Sequence, residues 1–201
     1  MNRITASSRI SNQSVYRNGA VVFENKGADL SGFLLSVYQE FNGNYPKFYK
    51  MDNLSKLGWL AAEVLLKDFP SRDFQPEEVG IALANANSSL DVDMKYYETV
   101  KGIPSPALFV YTLPNIMIGE ICIRNNFKGE SSFFISPEFD AGFMEYTVND
   151  LLDNEVLKVC ICGWVDLLGD KYEAVLFLVK KDGDMAFTKE NIFKIFQAEN
   201  G

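Results

Sequence analysis

From Leu30 onward, stretches with helical spacing alternate with short, nearly unbroken apolar runs, and this alternation most limits what the chain can fold into. Leu30–Phe41 carries apolar residues at Leu30, Phe33, Leu34, Val37, Tyr38 and Phe41, the i, i+3, i+4, i+7 spacing of an amphipathic helix, and Gly43, Asn44 and Pro46 end it. Asp52–Leu66 is the clearest helix: Asp52 suits an N-cap, Leu54, Leu57, Leu60 and Val64 share a face, and Pro70 closes the segment. Val79–Ala84 reads as a buried strand, followed by a loop over Asn85–Asp93. Leu113–Ile123, apolar almost all round, reads as a buried helix. Then come a strand at Ser131–Ser136, a helix at Phe143–Leu152, strands at Val156–Trp164 and Glu173–Lys180, and a helix at Thr188–Ala198. Ile4–Ile10 and Gly19–Glu24 are strand candidates upstream. Val165–Tyr172 is too short for a crossover helix, so the strands it joins should be antiparallel. Without repeats or linkers, the pattern describes one α/β domain over 1–201, a central sheet with helices on both faces.

Composition fits a packed globular chain. Hydrophobic residues make up 47% and charged residues 23% of 201 residues, ordinary proportions for a domain with a substantial core. Aromatics reach 13%, with 16 Phe, pointing to a generous core or to a buried association surface. The net charge of −8 repels nucleic acid at long range. The pairs Lys47/Lys50 and Lys180/Lys181 are the nearest approach to a basic patch. No run reaches the roughly 18 apolar residues of a membrane span. Met1–Ser14 is polar and lacks a signal core, so a cytoplasmic location is expected.

Three cysteines, Cys122, Cys160 and Cys162, sit in apolar surroundings, and the odd count argues against a disulfide framework. Cys160 and Cys162 share one face of a strand and read as buried thiols. The chain has no histidine, and no second cysteine pair completes a zinc set, so neither a metal nor a cofactor is expected. Phosphate-binding glycine loops are absent. Glu138 and Asp140, in a Pro-containing turn before a helix, read as N-terminal caps, and Asn85, Asn87, Ser88 and Ser89 as a turn cluster.

Five segments in order resemble the N-terminal half of the β-ketoacyl synthases, members of the thiolase-like superfamily. They are MDNLSKLGWLAAEVLL (Met51–Leu66), VGIALANANSSLDVD (Val79–Asp93), PSPALFVYTLPNIMIGEICIRNNFKG (Pro104–Gly129), ESSFFISPEFDAG (Glu130–Gly142) and VCICGWVD (Val159–Asp166), the last matching a strand that ends in a Gly- and Asp-containing turn. The resemblance implies a thiolase-like half with a mixed, mostly parallel five-stranded sheet. It also implies what is missing. The family's nucleophile turn reads roughly Thr-Ala-Cys-Ala-Ser-Gly. Anchored on Ser136 and Gly142, this chain reads Pro137-Glu138-Phe139-Asp140-Ala141-Gly142, with Phe139 at the cysteine position. Phenylalanine cannot be acylated and would fill the thioester's space. The histidines that assist decarboxylation in the family have no counterpart, and the half that supplies them is expected to be absent.

The resemblance therefore suggests a catalytically deficient ketosynthase-like protein. Its role would be that of a chain-length-factor-like or accessory partner of an active β-ketoacyl synthase in fatty-acid or polyene-type polyketide biosynthesis. The partner would be a full-length ketosynthase or a second copy, with carrier protein met only indirectly. In the family the strand before the nucleophile pairs across a two-fold axis, which marks Ser131, Ser132, Phe133, Phe134, Ile135 and Ser136 as interface candidates. The alternative is a module binding an acyl chain or aromatic acid in the former cleft; residual decarboxylation through Glu138 ranks last.

Overall fold

The computed structural model describes residues 1–197. Its element order is β1 (Arg3–Ser11), β2 (Ser14–Arg17), β3 (Ala20–Glu24), α1 (Leu30–Glu40), α2 (Asn53–Leu65), β4 (Val79–Asn85), α3 (Leu90–Val100), α4 (Pro106–Phe109), α5 (Ile116–Asn125), β5 (Ser131–Ile135), α6 (Ala141–Asp153), β6 (Val159–Leu168), β7 (Lys171–Lys180), β8 (Met185–Ala186) and α7 (Lys189–Gln197).

The described strands form one eight-stranded sheet in the order β3-β2-β1-β7-β6-β4-β5, with β8 on β1. Its heart is the five-strand run β1-β7-β6-β4-β5. There β5 and β6 flank β4 in parallel, while β7 is antiparallel to both β6 and β1, so four of the five point one way. This is the mixed, mostly parallel five-stranded sheet expected, enlarged by the β2–β3 ribbon and β8. The polar Ser14–Arg17 carries no strand signal of its own; it is a strand because the turns at Asn12–Gln13 and Asn18–Gly19 fold it between β1 and β3.

Alternation along the strands builds a core on each face. Ile81 and Leu83 of β4, Ile161 and Val165 of β6, and Leu176 of β7 face α1, α2 and α5. Ala82, Cys160, Cys162, Trp164 and Phe177 face α6 and α7. Each large apolar side chain buried completely, such as Trp59 or Phe177, contributes about 1.5–3 kcal/mol. Aspartates start the helices as their positions suggest: Asp29 accepts from Gly32 N (2.8 Å), Asp52 from Ser55 N (3.1 Å) and Leu54 N (3.2 Å).

Three expectations are corrected. The loop read over Asn85–Asp93 gives way at Leu90 to α3, whose surface is too polar and too exposed to show helical periodicity. The helix expected at Leu113–Ile123 begins at Ile116 and is buried on one face only; Leu113 and Ile123 are exposed. The strand expected to end in a Gly- and Asp-containing turn instead continues through Gly163 and Asp166 to Leu168, because β7 pairs with it along its whole length. The antiparallel pairing of β6 and β7 is as expected. The terminal helix packs on α6 and covers the second core with Ile192, Ile195 and Phe196; the Ala198 end assigned to it lies outside the described residues.

Candidate functional site

In open α/β sheets, ligand chemistry gathers beyond the carboxyl ends of the parallel strands. Here those ends belong to β4, β5 and β6, and their exits are tied to one another. At the end of β4, Asn85 is buried and closes a tight turn: its Oδ1 accepts from Ser88 N and its Nδ2 donates to Ser88 O, both at 2.9 Å. Asp166, on β6, accepts from Ala86 N (3.1 Å), Asn87 N (2.9 Å) and Asn87 Nδ2 (2.7 Å). The Asn/Ser cluster is thus a turn fastened to the neighbouring strand, as its composition suggested.

At the end of β5, Ser136 N donates to Asn85 O (2.9 Å), extending the pairing with β4 by one residue. Ser136 Oγ donates to Glu138 O (2.8 Å), and Asp140 caps α6 by accepting from Phe143 N (2.9 Å). Asp140 therefore takes the capping role read for it. Glu138 is exposed, and its carboxylate makes no hydrogen bond or ion pair among the described residues.

Phe139 lies between them, buried at 9% exposure. Its ring stacks on Phe196 at 4.4 Å and 25° and meets Trp164 edge-on at 6.1 Å and 67°. Phe134 and Phe143 pack edge to face beside it at 4.8 Å. The Arg9 guanidinium, which also pairs with Glu173, donates to the Phe196 carbonyl (2.9 Å) and ties α7 to β1 above this ring cluster. The start of α6 is thus closed by aromatic carbon. The sequence marked Phe139 but missed Trp164 and Phe196. The apolar face of the last helix was the available signal for Phe196; nothing local distinguishes Trp164 from any strand aromatic.

The thiols on this face of the sheet belong to the core beneath the rings. Cys160 and Cys162 are buried in β6, where burial pushes the Cys160 thiol up to about 12 and that of Cys162 well above its ordinary value. Cys122 sits on α5 in contact with the opposite core, also with its thiol raised by burial. Among the described residues no group of three His, Cys, Asp or Glu side chains is placed to hold a metal, and no helix is long and apolar enough to cross a membrane. The lysine pairs form no single patch: Lys47 lies 3.8 Å from Glu120, Lys180 3.0 Å from Asp182 and Lys181 3.9 Å from Glu155.

The interface candidates Ser131–Ser136 stand at the sheet margin, β5 being the last strand beyond β4. Glu130 O and Ser136 N bond towards β4, so by alternation the even-numbered backbone groups face β4 and those of Ser131, Phe133 and Ile135 face outward. The apolar side chains divide differently from expectation. Phe133 and Phe134 are half-buried, one against each core, and Ile135 is left exposed at 56%.

No protein-family model matches the sequence, and no curated protein is similar to it. Solved structures are similar in fold. The ishigamide ketosynthase/chain length factor superposes with a TM-score of 0.65 at 15% identity, over 89% of this chain and 62% of that one. The ketosynthase (ApeO) in complex with its chain length factor (ApeC) from Xenorhabdus doucetiae gives 0.60 at 12% identity, over 90% and 79%. A β-ketoacyl synthase from Burkholderia phymatum STM815 gives 0.59 at 9% identity, over 90% and 59%. The chain has the thiolase-like ketosynthase fold. It spans less than two-thirds of the length of the ishigamide and Burkholderia proteins, and most of the length of the matched Xenorhabdus chain.

Proposed function

We propose that this chain is a non-catalytic partner of an active β-ketoacyl synthase, of the chain-length-factor kind, and that it engages its partner through the free edge of β5. The observation that carries the reading is the turn from β5 into α6: Phe139 stands at the position where the resemblance places the family's nucleophile, and its ring is stacked rather than exposed. A phenyl ring offers neither a nucleophile nor a proton, and these 201 residues supply no histidine to assist decarboxylation. The rings of Phe139, Phe196 and Trp164 also pack on one another at the start of α6, which weighs against the small-molecule alternative.

The titles of two similar structures pair a ketosynthase with a chain length factor, which supports a partner role by likeness of fold. The open edge of β5 supports it physically. Unpaired N–H and C=O groups at a sheet margin are a template for strand addition, and here the outward groups belong to Ser131, Phe133 and Ile135.

The test is complex formation with the full-length β-ketoacyl synthase encoded nearest to this chain, measured by light scattering and calorimetry. A one-to-one complex is expected. Ile135→Pro removes an outward amide from an exposed strand end without touching the bonds to β4, so it should weaken the complex about tenfold or more while leaving the melting temperature unchanged. Absence of any complex with the wild-type chain sinks the partner reading.

A further inference from the structure

We infer that the segment Leu90–Leu113 is a second docking element for the same partner, and that the partner is a different chain, apolar with a basic rim where it faces this one, rather than a second copy. The inference rests on the partner role just proposed. A strand as short as β5 pairs over too little surface to hold a stable complex, which needs about 1,200–2,000 Å² in total. More apolar surface has to be supplied nearby.

The segment supplies it. Only Asp91 and Val92 of α3 are buried, so past its first turn the helix packs on α4 rather than into the core, while Leu108 and Tyr111 root the segment in the body. Met94, Tyr97 and Val100 are exposed along it, followed by Ile103 at 92%, Phe109 at 59% and Leu113 at 58%. The arm is held in shape by its own contacts. Ser105 N donates to Thr99 Oγ1 (3.1 Å), and the Tyr96 and Phe109 rings pack at 5.4 Å. A chain with nothing to bind would fold such residues inward; a braced, apolar projection is what an interface needs before it meets its partner. The arm is also continuous with the strand edge. Pro114, Asn115 and Ile118, directly after it, form one wall of an open groove of about 650 Å³ whose other wall is Ser131, Phe133 and Ile135.

Charge decides between occupants. Asp93 on the arm and Glu130, Glu138 and Asp140 around β5 make no ion pair among the described residues; Lys128 and Lys189, the latter beside Gly142, are cations nearby, and Lys95 and Lys101 of the arm are taken up by Asp91 and Glu98. Two copies, each of net charge −8, would bring these acidic rims together, whereas a partner with a basic rim would neutralise them.

The experiment measures affinity for the same ketosynthase with the wild-type chain, with Ile103→Ser, and with the double variant Ile103→Ser/Leu113→Ser, which keeps the Tyr96–Phe109 brace, alongside sedimentation of the wild-type chain alone at low salt. Both side chains are more than half exposed, so both variants should melt like the wild type. The double variant is expected to bind about tenfold or more weakly, with the single variant between, and the chain alone is expected to sediment as a monomer. Unchanged affinity in the double variant overturns the arm while leaving the partner role intact. A tight homodimer at low salt overturns the choice of partner and assigns the surface to a second copy. No complex with the wild-type chain overturns both readings together.

Discussion

At the scale of single residues, the most informative positions carry charge or aromatic rings out of ordinary surroundings. Asp52 is one. It caps α2, yet burial raises its carboxyl above the ordinary value of 3.8, helped by the negative charge of Asp91 and opposed by bonds from Ser55 and Leu54. Lys56, one turn on, is lowered by its own burial and held up by Asp52. Because the folded state holds the Asp52 proton more tightly than the unfolded chain, folding takes up a proton between pH 3.8 and the folded value, and stability falls as pH rises through that window. Asp52→Asn keeps an oxygen for the cap and removes the charge. Its stability should therefore match or exceed the wild type at pH 7 and lose that slope, whereas Asp52→Ala should cost about 1 kcal/mol through loss of the cap. Urea denaturation at several pH values separates the three proteins; an Asn variant weaker than the Ala variant would contradict this account of Asp52. The cap itself was legible in the sequence, since an aspartate before a periodic run has one obvious use. The raised carboxyl was not, because its desolvation and the nearness of the Asp91 charge are set only by the fold.

At the scale of elements, legibility followed the strength of the periodic signal. The α1, α2, α6 and β4–β7 segments were readable because each sets a regular series of apolar residues against a core. The α3 helix was not, since its pattern after Val92 answers to no core within this chain. The β6 strand was ended at Trp164 in the reading, and the resemblance put a Gly- and Asp-containing turn at Gly163–Asp166. In the structure Gly163 lies inside the strand opposite Leu176 with φ of +144°, and an added Cβ would land on the Val175 carbonyl oxygen. Here glycine is needed both for conformation and for close approach of the two backbones. Gly169, at the β6–β7 turn with φ of +61°, has open space where a Cβ would go. Gly163→Ala should therefore destabilise by about 3 kcal/mol or more, through strain and a clash with main chain, while Gly169→Asn should cost less than about 1 kcal/mol, since asparagine tolerates the left-handed region. Equilibrium denaturation of the two variants gives the comparison, and similar losses would show that the glycine in the strand is not specially constrained.

At the scale of the whole molecule, the two faces of the sheet are covered unequally. Three helices and the aromatic cluster of Tyr38, Tyr45, Phe48 and Trp59 seal one face. The other rests on α6 and the short α7, of which Ile192 alone is fully buried. The cover on this second face comes from α7, which places Phe196 over Phe139 and ties its carbonyl to Arg9. That arrangement makes the closure of the candidate site depend on the element with the least burial of its own. Local opening follows the amount of surface an element buries, so opening should be graded across the molecule. Native-state amide exchange should find α7 exchanging through an opening of lower free energy than β6 and β7, whose bonds are flanked by both cores. Arg9→Ala, which removes the donor to Phe196, should lower the protection of α7 more than that of β6. Equal loss of protection across α7 and the central strands would mean that the cover is not a separable unit, and that Phe139 is exposed only when the whole domain unfolds.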